Sequence, residues 1–142
     1  MNGIYALEIR LNDDVCVKVG GLGEVDFKKG NYVYVGSAQR NLEKRVQRHL
    51  RKEKRLFWHI DYLLNDEHAR VEKVLFKPAS KSAECGLAQD LERQGDLVLG
   101  FGCSDCRCRS HLFRLTVSFS LLEQSVLAAS CGWIRFAHIT GL

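Results

Sequence analysis

Apolar and polar residues alternate at the start of the chain, and this pattern limits the folds that the chain can adopt. From Tyr5 to Leu11 every second residue is apolar, and Glu8 and Arg10 stand between them. A period of two is typical of a β-strand that buries one face. We therefore predict a half-buried strand over residues 3–11, around which the rest of the chain must build a sheet.

Turn residues and apolar periodicity predict further elements along the chain. After the turn residues Asn12-Asp13-Asp14, residues 15–19 are expected to return as the second strand of a hairpin. Other strands are predicted over residues 31–36, 71–76 and 112–117. Helices are predicted over residues 41–54, over residues 58–64, and from Ser82 to near Gly95. The order of these elements indicates a mixed fold of strands and helices.

Two of the predicted helices carry stripes that indicate which side is buried. In the first, Leu42, Val46 and Leu50 recur at helical spacing, and Asn41 can cap its start. The stripe of the third helix comprises Glu84, Leu87, Ala88 and Leu91. A carboxylate on an apolar stripe is costly unless it has a partner. Glu84 is therefore either a boundary residue that reaches water or a ligand that faces a metal ion.

Length and composition indicate one globular domain. The chain has 142 residues, of which 46% are apolar and 27% are charged. The longest charge-free stretch near the C-terminus has 11 residues, against the roughly 20 that a membrane-spanning helix needs. The N-terminus lacks a basic segment followed by an apolar core, and the six cysteines then favour a reducing compartment. We expect a cytoplasmic protein with no membrane partner.

The C-terminal part of the chain differs in composition from the rest. The last 25 residues, from Ser118, contain only two charged residues, Glu123 and Arg135. An exposed apolar segment of this kind usually marks a contact surface. We predict a domain of residues 1–117 and an extension of residues 118–142, which packs on the same domain or on a partner such as a second copy of the chain.

Positive charge is concentrated in one segment. The net charge is +4, but residues 39–58 contain eight Lys or Arg and two Glu, a local charge of +6, so the remainder carries −2. Such a concentration is typical of a surface that binds a polyanion, although a solvated helix face gives the same pattern. The residues expected to bind nucleic acid are Arg40, Lys44, Arg48, Arg51 and Lys52.

Short motifs follow one another along the chain in a particular order. The first are Gly3-Ile4-Tyr5, Tyr34-Val35-Gly36, and Arg45 followed by His49. These resemble the GIY-YIG nuclease superfamily. The later ones are Trp58 to Leu64, Glu84-Cys85, Gly100-Phe101-Gly102, Ser104 to Cys108 and Ser110-His111-Leu112. Together they resemble an uncharacterised, largely archaeal subfamily, the domain of unknown function 123, over roughly residues 2–115.

The resemblance implies an α/β fold of the α+β kind, in which helices flank a small antiparallel sheet. It implies a metal-dependent endonuclease that hydrolyses nucleic acid, with DNA as the expected substrate. It also implies one divalent ion, Mg²⁺ or Mn²⁺, that is bound by Glu84. The catalytic residues that it implies are Tyr5, Tyr34, Arg45 and His49. His59 is a further catalytic candidate, and hydrogen bonding at a helix terminus is its alternative role.

Two features depart from the superfamily pattern. Tyr5 and Tyr34 are 29 residues apart, whereas a short hairpin connection usually separates the two tyrosines. The asparagine that often follows the glutamate has no clear counterpart. An inactive nucleic-acid-binding module of the same fold is therefore the alternative to the nuclease.

The implied residue types suit phosphodiester hydrolysis. Magnesium is held by one or two carboxylates together with phosphate oxygens and water, so Glu84 suffices for one ion. Arg45 offers a planar fork of donors that matches phosphate. A tyrosine titrates near ~10 and acts as a base only if cationic charge, such as Arg45 and the metal, lowers its pKa. We expect His49 to position the water or to protonate the leaving group.

A cysteine-rich stretch gives a second metal hypothesis. Cys103, Cys106, Cys108 and His111 are ligand types that zinc prefers. Their crowding leaves little room for a tetrahedral shell, and the alternative is a polar loop that contains Ser104, Asp105 and His111. Cys85 is interpreted as a buried structural thiol. If zinc binds, a zinc-stabilised interaction domain is a third functional hypothesis.

Overall fold

The structure, a computed structural model, describes residues 2–103, 106–127 and 132–136. Its strands are β1 (Gly3–Leu11), β2 (Val15–Lys18), β3 (Glu24–Phe27), β4 (Gly30–Ala38), β5 (Ala69–Lys77), β6 (Gly95–Leu97), β7 (Leu112–Leu115) and β8 (Ile134–Arg135). Its α-helices are α1 (Leu42–Leu50), α2 (His59–Leu64), α3 (Lys81–Glu92) and α4 (Phe119–Leu122). A short 3₁₀ helix forms at Gly20–Leu22, and a π-helical segment, Glu123–Leu127, follows α4. Six strands form one antiparallel sheet in the order β6-β7-β4-β1-β5-β8. The predicted fold class, an antiparallel sheet flanked by helices, is confirmed.

β1 lies at the centre of the sheet and is buried on both faces. It pairs with β4 along one edge and with β5 along the other. Only Arg10 is exposed in this strand, and Glu8 is 1% exposed. Burial, together with the neighbouring Glu123, raises the pKa of Glu8 to about 9, so its carboxyl group is protonated at neutral pH. The prediction of a half-buried strand is wrong because helices cover both faces.

Each face of the sheet carries its own hydrophobic core. The core on the first face includes Tyr5, Leu7, Leu42, Val46, Ile60 and Leu63. The core on the second face includes Ile4, Ala6, Leu87, Ala88, Leu91 and Leu122. Helices α1 and α2 therefore cover the first face, and α3 and α4 cover the second. The predicted apolar stripes of α1 and α3 face these cores.

Residues 15–18 form a strand, but its partner differs from the prediction. β2 pairs with β3, with Val15 opposite Phe27 and Lys18 opposite Glu24, in a separate two-stranded sheet. It cannot pair with β1 as predicted, because β4 and β5 already occupy both edges of that strand. Gly23 precedes β3 with a φ of 77°, in the left-handed region that glycine favours.

The helix boundaries differ from the predicted ones by a few residues. α1 ends at Leu50 rather than Lys54, and the side chain of Asn41 makes no capping hydrogen bond. α3 begins at Lys81, with Ser80 rather than Ser82 at the N-cap position. It ends at Glu92 because the chain from Gly95 onward pairs with β7 as β6.

The described part of the C-terminal extension lies on the six-stranded sheet. Leu122 of α4 is buried in the second core. β8 pairs with β5, with Leu75 opposite Arg135, and Phe136 is 3% exposed. Residues 128–131 and 137–142 lie outside the described part. Among the helices that the structure describes, none is long and apolar enough to cross a membrane.

Candidate active site and metal cluster

A cavity of about 600 Å³ opens at the end of the sheet where β1 begins and β4 ends. Side chains from β1, β4, α1, α2 and α3 contribute to its wall. Five of the six predicted catalytic and metal-binding residues line it: Tyr5, Tyr34, Arg45, His59 and Glu84. Arg40, predicted to bind nucleic acid, also lines it. The structure therefore brings together residues that are up to 79 positions apart in the sequence.

The pairing of β1 with β4 places both tyrosines on the same face of the sheet. Tyr5 lies opposite Gly36, and Leu7 lies opposite Tyr34. Since alternate residues of a strand share a face, Tyr5, Leu7 and Tyr34 all point to the first core. A Cβ atom at Gly36 would overlap the ring of Tyr5. Glycine at this position therefore lets the Tyr5 ring lie across β4.

His49 contacts Tyr5 but is not among the described residues that line the cavity. The Tyr5 hydroxyl is 2.7 Å from Nε2 of His49, which is 2% exposed. Burial, with a smaller effect from nearby Lys54, lowers the pKa of His49 to about 3. Its Nδ1 atom is buried and has no hydrogen-bond partner among the described residues. His49 is thus a neutral base at neutral pH and cannot serve as an imidazolium acid.

Burial also determines the protonation of the two tyrosines. It raises the pKa of Tyr5 and of Tyr34 well above the ordinary value. Arg45 lowers both pKa values, but its effect is smaller than that of burial. The net shift is therefore opposite to the lowering that a tyrosine base would need. Both phenols are protonated at neutral pH.

Arg45 is held at the cavity wall by contacts with Ser37 and Trp58, and its side chain also interacts with Tyr5. Its Nη1 donates to the backbone carbonyl of Ser37 at 3.0 Å. Its guanidinium lies over the ring of Trp58, 4.5 Å from the ring centre. A guanidinium over an aromatic face is attracted by the negative face of the ring. A guanidinium has five N–H donors, so Arg45 can keep these contacts and still donate to a ligand.

Arg48 differs from the other predicted nucleic-acid-binding residues, because its guanidinium is paired within the protein. It donates two hydrogen bonds to Asp61, at 2.8 Å and 2.9 Å. Asp61 is fully buried and also accepts the backbone N–H groups of Phe57 and Trp58. Burial alone would raise the pKa of Asp61, but these hydrogen bonds hold it below the ordinary value. Arg48 therefore stabilises the α1–α2 packing. The exposed members of the predicted set are Arg40, Lys44, Arg51 and Lys52.

Glu84 lies in the first turn of α3 and reaches the cavity. Its Oε1 accepts a hydrogen bond from the hydroxyl of Ser37 at 2.7 Å, and its Oε2 is 2.9 Å from Nδ1 of His111. The side chain is 12% exposed. Glu84 therefore has the partners that a carboxylate on an apolar stripe requires, and each oxygen retains a further lone pair.

His59 joins the cavity wall to the glycine-containing loop before β7. Its Nδ1 accepts the backbone N–H of Gly102 at 2.9 Å, and its ring packs on Phe101. Burial lowers the pKa of His59 below the ordinary value. Because Nδ1 accepts a hydrogen bond, the neutral ring carries its proton on Nε2, where it can be donated.

Three cysteines and a histidine meet at the junction of α3 with this loop. Ligand atoms of Cys85, Cys106, Cys108 and His111 all lie within 4.8 Å of one another, so this cluster could hold a metal ion. Its thiol and imidazole groups suit zinc better than magnesium. Cys103 was predicted in place of Cys85, but its thiol donates to the carbonyl of Phe101 at 3.3 Å, and it is not a member of the cluster. Ser104 and Asp105 lie outside the described residues.

Some residues of the site have no distinctive sequence pattern. Ser37 and Lys81 line the cavity, and Ser37 contacts Glu84, but neither belongs to a recognised spacing. Cys85 stands next to Glu84 and far from the other cysteines in the sequence. Its sequence signals are that adjacency, since Glu84 was itself a candidate metal ligand, and its place in the Glu84-Cys85 motif.

Comparison with known protein families gives a match over most of the chain. The model of a family described as Domain of unknown function DUF123 matches residues 4–130. No curated protein and no solved structure matches the chain significantly. Since the family match covers most of the chain, including every residue of the cavity and of the cysteine cluster, this protein belongs to the family Domain of unknown function DUF123.

Proposed function

We propose that the cavity binds a phosphodiester of a nucleic acid and hydrolyses it with a divalent cation. The proposed nucleic acid is DNA. The observation that carries the proposal is the convergence of a carboxylate, a guanidinium and two phenols in one cavity. Phosphodiester hydrolysis needs a positioned water, stabilisation of the phosphate charge and support for the leaving oxygen. The resemblance of the motifs to GIY-YIG nucleases supports the same reaction.

Glu84 offers the donor type that Mg²⁺ or Mn²⁺ requires. Magnesium in nucleic-acid enzymes is typically held by one or two carboxylates, with phosphate oxygens and water completing its shell. Both oxygens of Glu84 accept one hydrogen bond each, from Ser37 and His111, and keep lone pairs for a cation. A cation bound there would offset phosphate charge and lower the pKa of a bound water.

Arg45 binds and orients the phosphate in this proposal. Its carbonyl contact and its position over Trp58 fix the guanidinium plane before the substrate arrives. A guanidinium that is already oriented gives two parallel hydrogen bonds to phosphate without losing further side-chain freedom. His59, with its proton on Nε2, supplies a neutral donor on the same wall.

Tyr5 orients the attacking water rather than removing its proton. When Nε2 of neutral His49 accepts the Tyr5 proton in their hydrogen bond, the lone pairs of the Tyr5 oxygen can accept a proton of water. The raised pKa of Tyr5 keeps the phenol protonated in this role. His49 therefore acts through Tyr5 as a positioning residue.

The raised pKa values of both tyrosines favour a second candidate function. Without a tyrosine base, the same fold could bind nucleic acid and leave it intact. The inactive module uses the same exposed basic residues and Arg45. Cleavage distinguishes the two functions, whereas binding does not.

The test is a cleavage assay on single-stranded, duplex and branched DNA and on the matching RNA substrates. Each substrate is incubated with and without added Mg²⁺ or Mn²⁺, and the cation is omitted rather than chelated so that the cysteine cluster is undisturbed. The proposal predicts cleavage of at least one substrate that depends on the added cation. Binding without cleavage of any substrate would favour the inactive module.

A further inference from the structure

We propose that Cys85, Cys106, Cys108 and His111 bind one zinc ion, which links the first turn of α3 to the loop before β7. The four side chains come from two separate segments, α3 and residues 106–111. A helix residue and a loop thus supply ligands from two directions. This arrangement removes the crowding expected if all four ligands came from one short stretch of chain.

The distances within the cluster are close to those of a zinc site. With Zn–S bonds of about 2.3 Å, the ligand atoms of a tetrahedral site lie about 3.8 Å apart. The ligand atoms here lie within 4.8 Å of one another, so small side-chain rotations bring them to that separation. A set of three cysteines and one histidine is also a common structural zinc shell.

The orientation of His111 identifies which nitrogen would bind zinc. Its Nε2 lies 3.3 Å from Sγ of Cys106, on the side of the thiols. Its Nδ1 lies 2.9 Å from Oε2 of Glu84, on the side of the cavity. A zinc-bound histidine commonly donates its other N–H to a carboxylate, which fixes the tautomer and the ring orientation. The Glu84 carboxylate occupies that position.

Three of the four ligands lie in the long connection between β6 and β7. Residues 98–111 join β6 to β7, and the described part of this connection contains neither helix nor strand. Long connections without secondary structure are uncommon in compact domains unless something orders them. A zinc ion would fix this loop, including Gly102, which contacts His59 in the cavity wall. The zinc site would therefore order one side of the candidate active site.

The zinc content of the purified protein tests the inference without reference to any activity. The protein is purified without a metal-affinity step, and zinc is measured by mass spectrometry. We expect about one zinc per chain in the wild type and a loss of most of it in Cys85→Ser and in Cys108→Ser. Cys103→Ser is the matched control, and it should keep its zinc because Cys103 lies outside the cluster. A wild type free of zinc, or a loss in Cys103→Ser equal to that in Cys85→Ser, would overturn the proposal.

If the variants Cys85→Ser and Cys108→Ser fail to fold, a cobalt titration tests the zinc site instead. Metal-free wild type and Cys103→Ser are titrated with Co²⁺, which replaces zinc in tetrahedral thiolate sites and is coloured there. We expect intense thiolate-to-cobalt absorption in both proteins, saturating at one equivalent and reversed by one equivalent of Zn²⁺. Absorption that never develops, or that Zn²⁺ does not displace, would contradict a zinc site. Neither result depends on hydrolysis, so the proposed function can fail while the zinc site stands.

Discussion

Tyr5 and His49 meet between the sheet and α1, in a place from which water is excluded. There the cost of a charge without solvent exceeds the effect of nearby charged groups, which is why the pKa of Tyr5 rises and that of His49 falls to about 3. Arg45 lowers both of these pKa values, but it does not reverse the shift of Tyr5. The pair is consequently neutral, and its hydrogen bond orders the base of the cavity.

The low pKa of His49 predicts a loss of stability on acidification. Its folded pKa lies below the unfolded value of about 6.5, so the unfolded chain binds more protons between pH 6.5 and pH 3. The stabilisation that comes from keeping His49 neutral is complete above pH 6.5 and is lost as the pH falls toward 3. Between pH 7 and pH 5 we expect His49 to account for a loss of about 2 kcal/mol in the free energy of unfolding.

The measurement is urea denaturation of wild type and His49→Gln at both pH values. Other groups titrate as well. The pKa of Glu8 is raised to about 9, so its titration changes the free energy of unfolding in the opposite direction to that of His49. The prediction therefore concerns the difference: the variant should lose about 2 kcal/mol less than wild type on going from pH 7 to pH 5. Equal losses in the two proteins would show that His49 is not held neutral by burial.

At the scale of elements, the position of α1 relative to α2 depends on one buried carboxylate. Asp61 accepts two hydrogen bonds from Arg48 and the two N–H groups that precede α2. Trp58, at the N-cap position of α2, lies under the guanidinium groups of both Arg45 and Arg48. The α1–α2 contact thereby sets the position of Arg45, which belongs to the cavity.

Asp61→Asn should destabilise the protein by about 2–3 kcal/mol, because the amide carries no charge to pair with Arg48. Its NH2 group would also face a donor, either Arg48 or the two backbone N–H groups that share one oxygen of Asp61. Asp90→Asn is the control, since Asp90 is an exposed helix residue whose ion pair with Arg93 is long, at 3.6 Å. Its effect should stay below about 0.5 kcal/mol. Both are measured by chemical denaturation at pH 7. If the two variants lose the same free energy, Asp61 does not stabilise the α1–α2 packing as described.

Local patterns identify most of the elements of this fold but not their partners. The alternation in β1 marks one apolar face, whereas the burial of Glu8 on the other face depends on α4 and Glu123, which are distant in sequence. The strand at residues 15–18 was predicted, but its pairing with β3 depends on β5 having taken the second edge of β1. Strand pairing is a property of the whole sheet, and so one sequence pattern does not specify it.

In the candidate active site, too, local patterns identify residues but not their partners. The motifs predicted six site residues, and the structure places five of them at one cavity: Tyr5, Tyr34, Arg45, His59 and Glu84. The sixth, His49, does not line that cavity. The motifs did not predict that Arg48 pairs with Asp61, or that Cys85 joins the cysteine cluster. Both depend on which side of a helix meets another segment. Such contacts follow from packing, which spacing along the chain does not encode.

In the whole molecule, the basic segment of residues 39–58 borders the cavity. Arg40 lines the cavity itself, and Lys44, Arg51 and Lys52 are exposed on α1 or just after it. Positive residues that neutralise phosphates release counterions, and affinity then falls with salt. In the proposed function, the basic segment would supply general affinity for nucleic acid, and the cavity would supply the chemistry.

Replacing Arg40, Lys44, Arg51 and Lys52 with alanine should weaken binding to duplex DNA at low salt. The slope of log affinity against log salt should flatten by about 3 to 4, since each lost phosphate contact contributes about 0.9. The measurement is fluorescence anisotropy over a range of salt concentrations. The matched control replaces three exposed lysines from β2 and the β3–β4 turn, Lys18, Lys28 and Lys29, and should keep the wild-type slope. A slope that changes equally in both variants would place the binding surface elsewhere.

The proposal that the cavity hydrolyses phosphodiesters with a cation held by Glu84 is tested by the variant Glu84→Gln. Gln keeps the shape of the side chain and can hydrogen-bond Ser37 and His111, but it lacks the anionic charge that holds the cation. Cleavage rate and affinity are measured for wild type, Glu84→Gln and the exposed control Glu43→Gln, with Mg²⁺ titrated in each. We predict that Glu84→Gln binds nucleic acid as wild type does but cleaves it at least about 100-fold more slowly, while Glu43→Gln behaves as wild type. Cleavage by Glu84→Gln at the wild-type rate under limiting Mg²⁺ would contradict the claim.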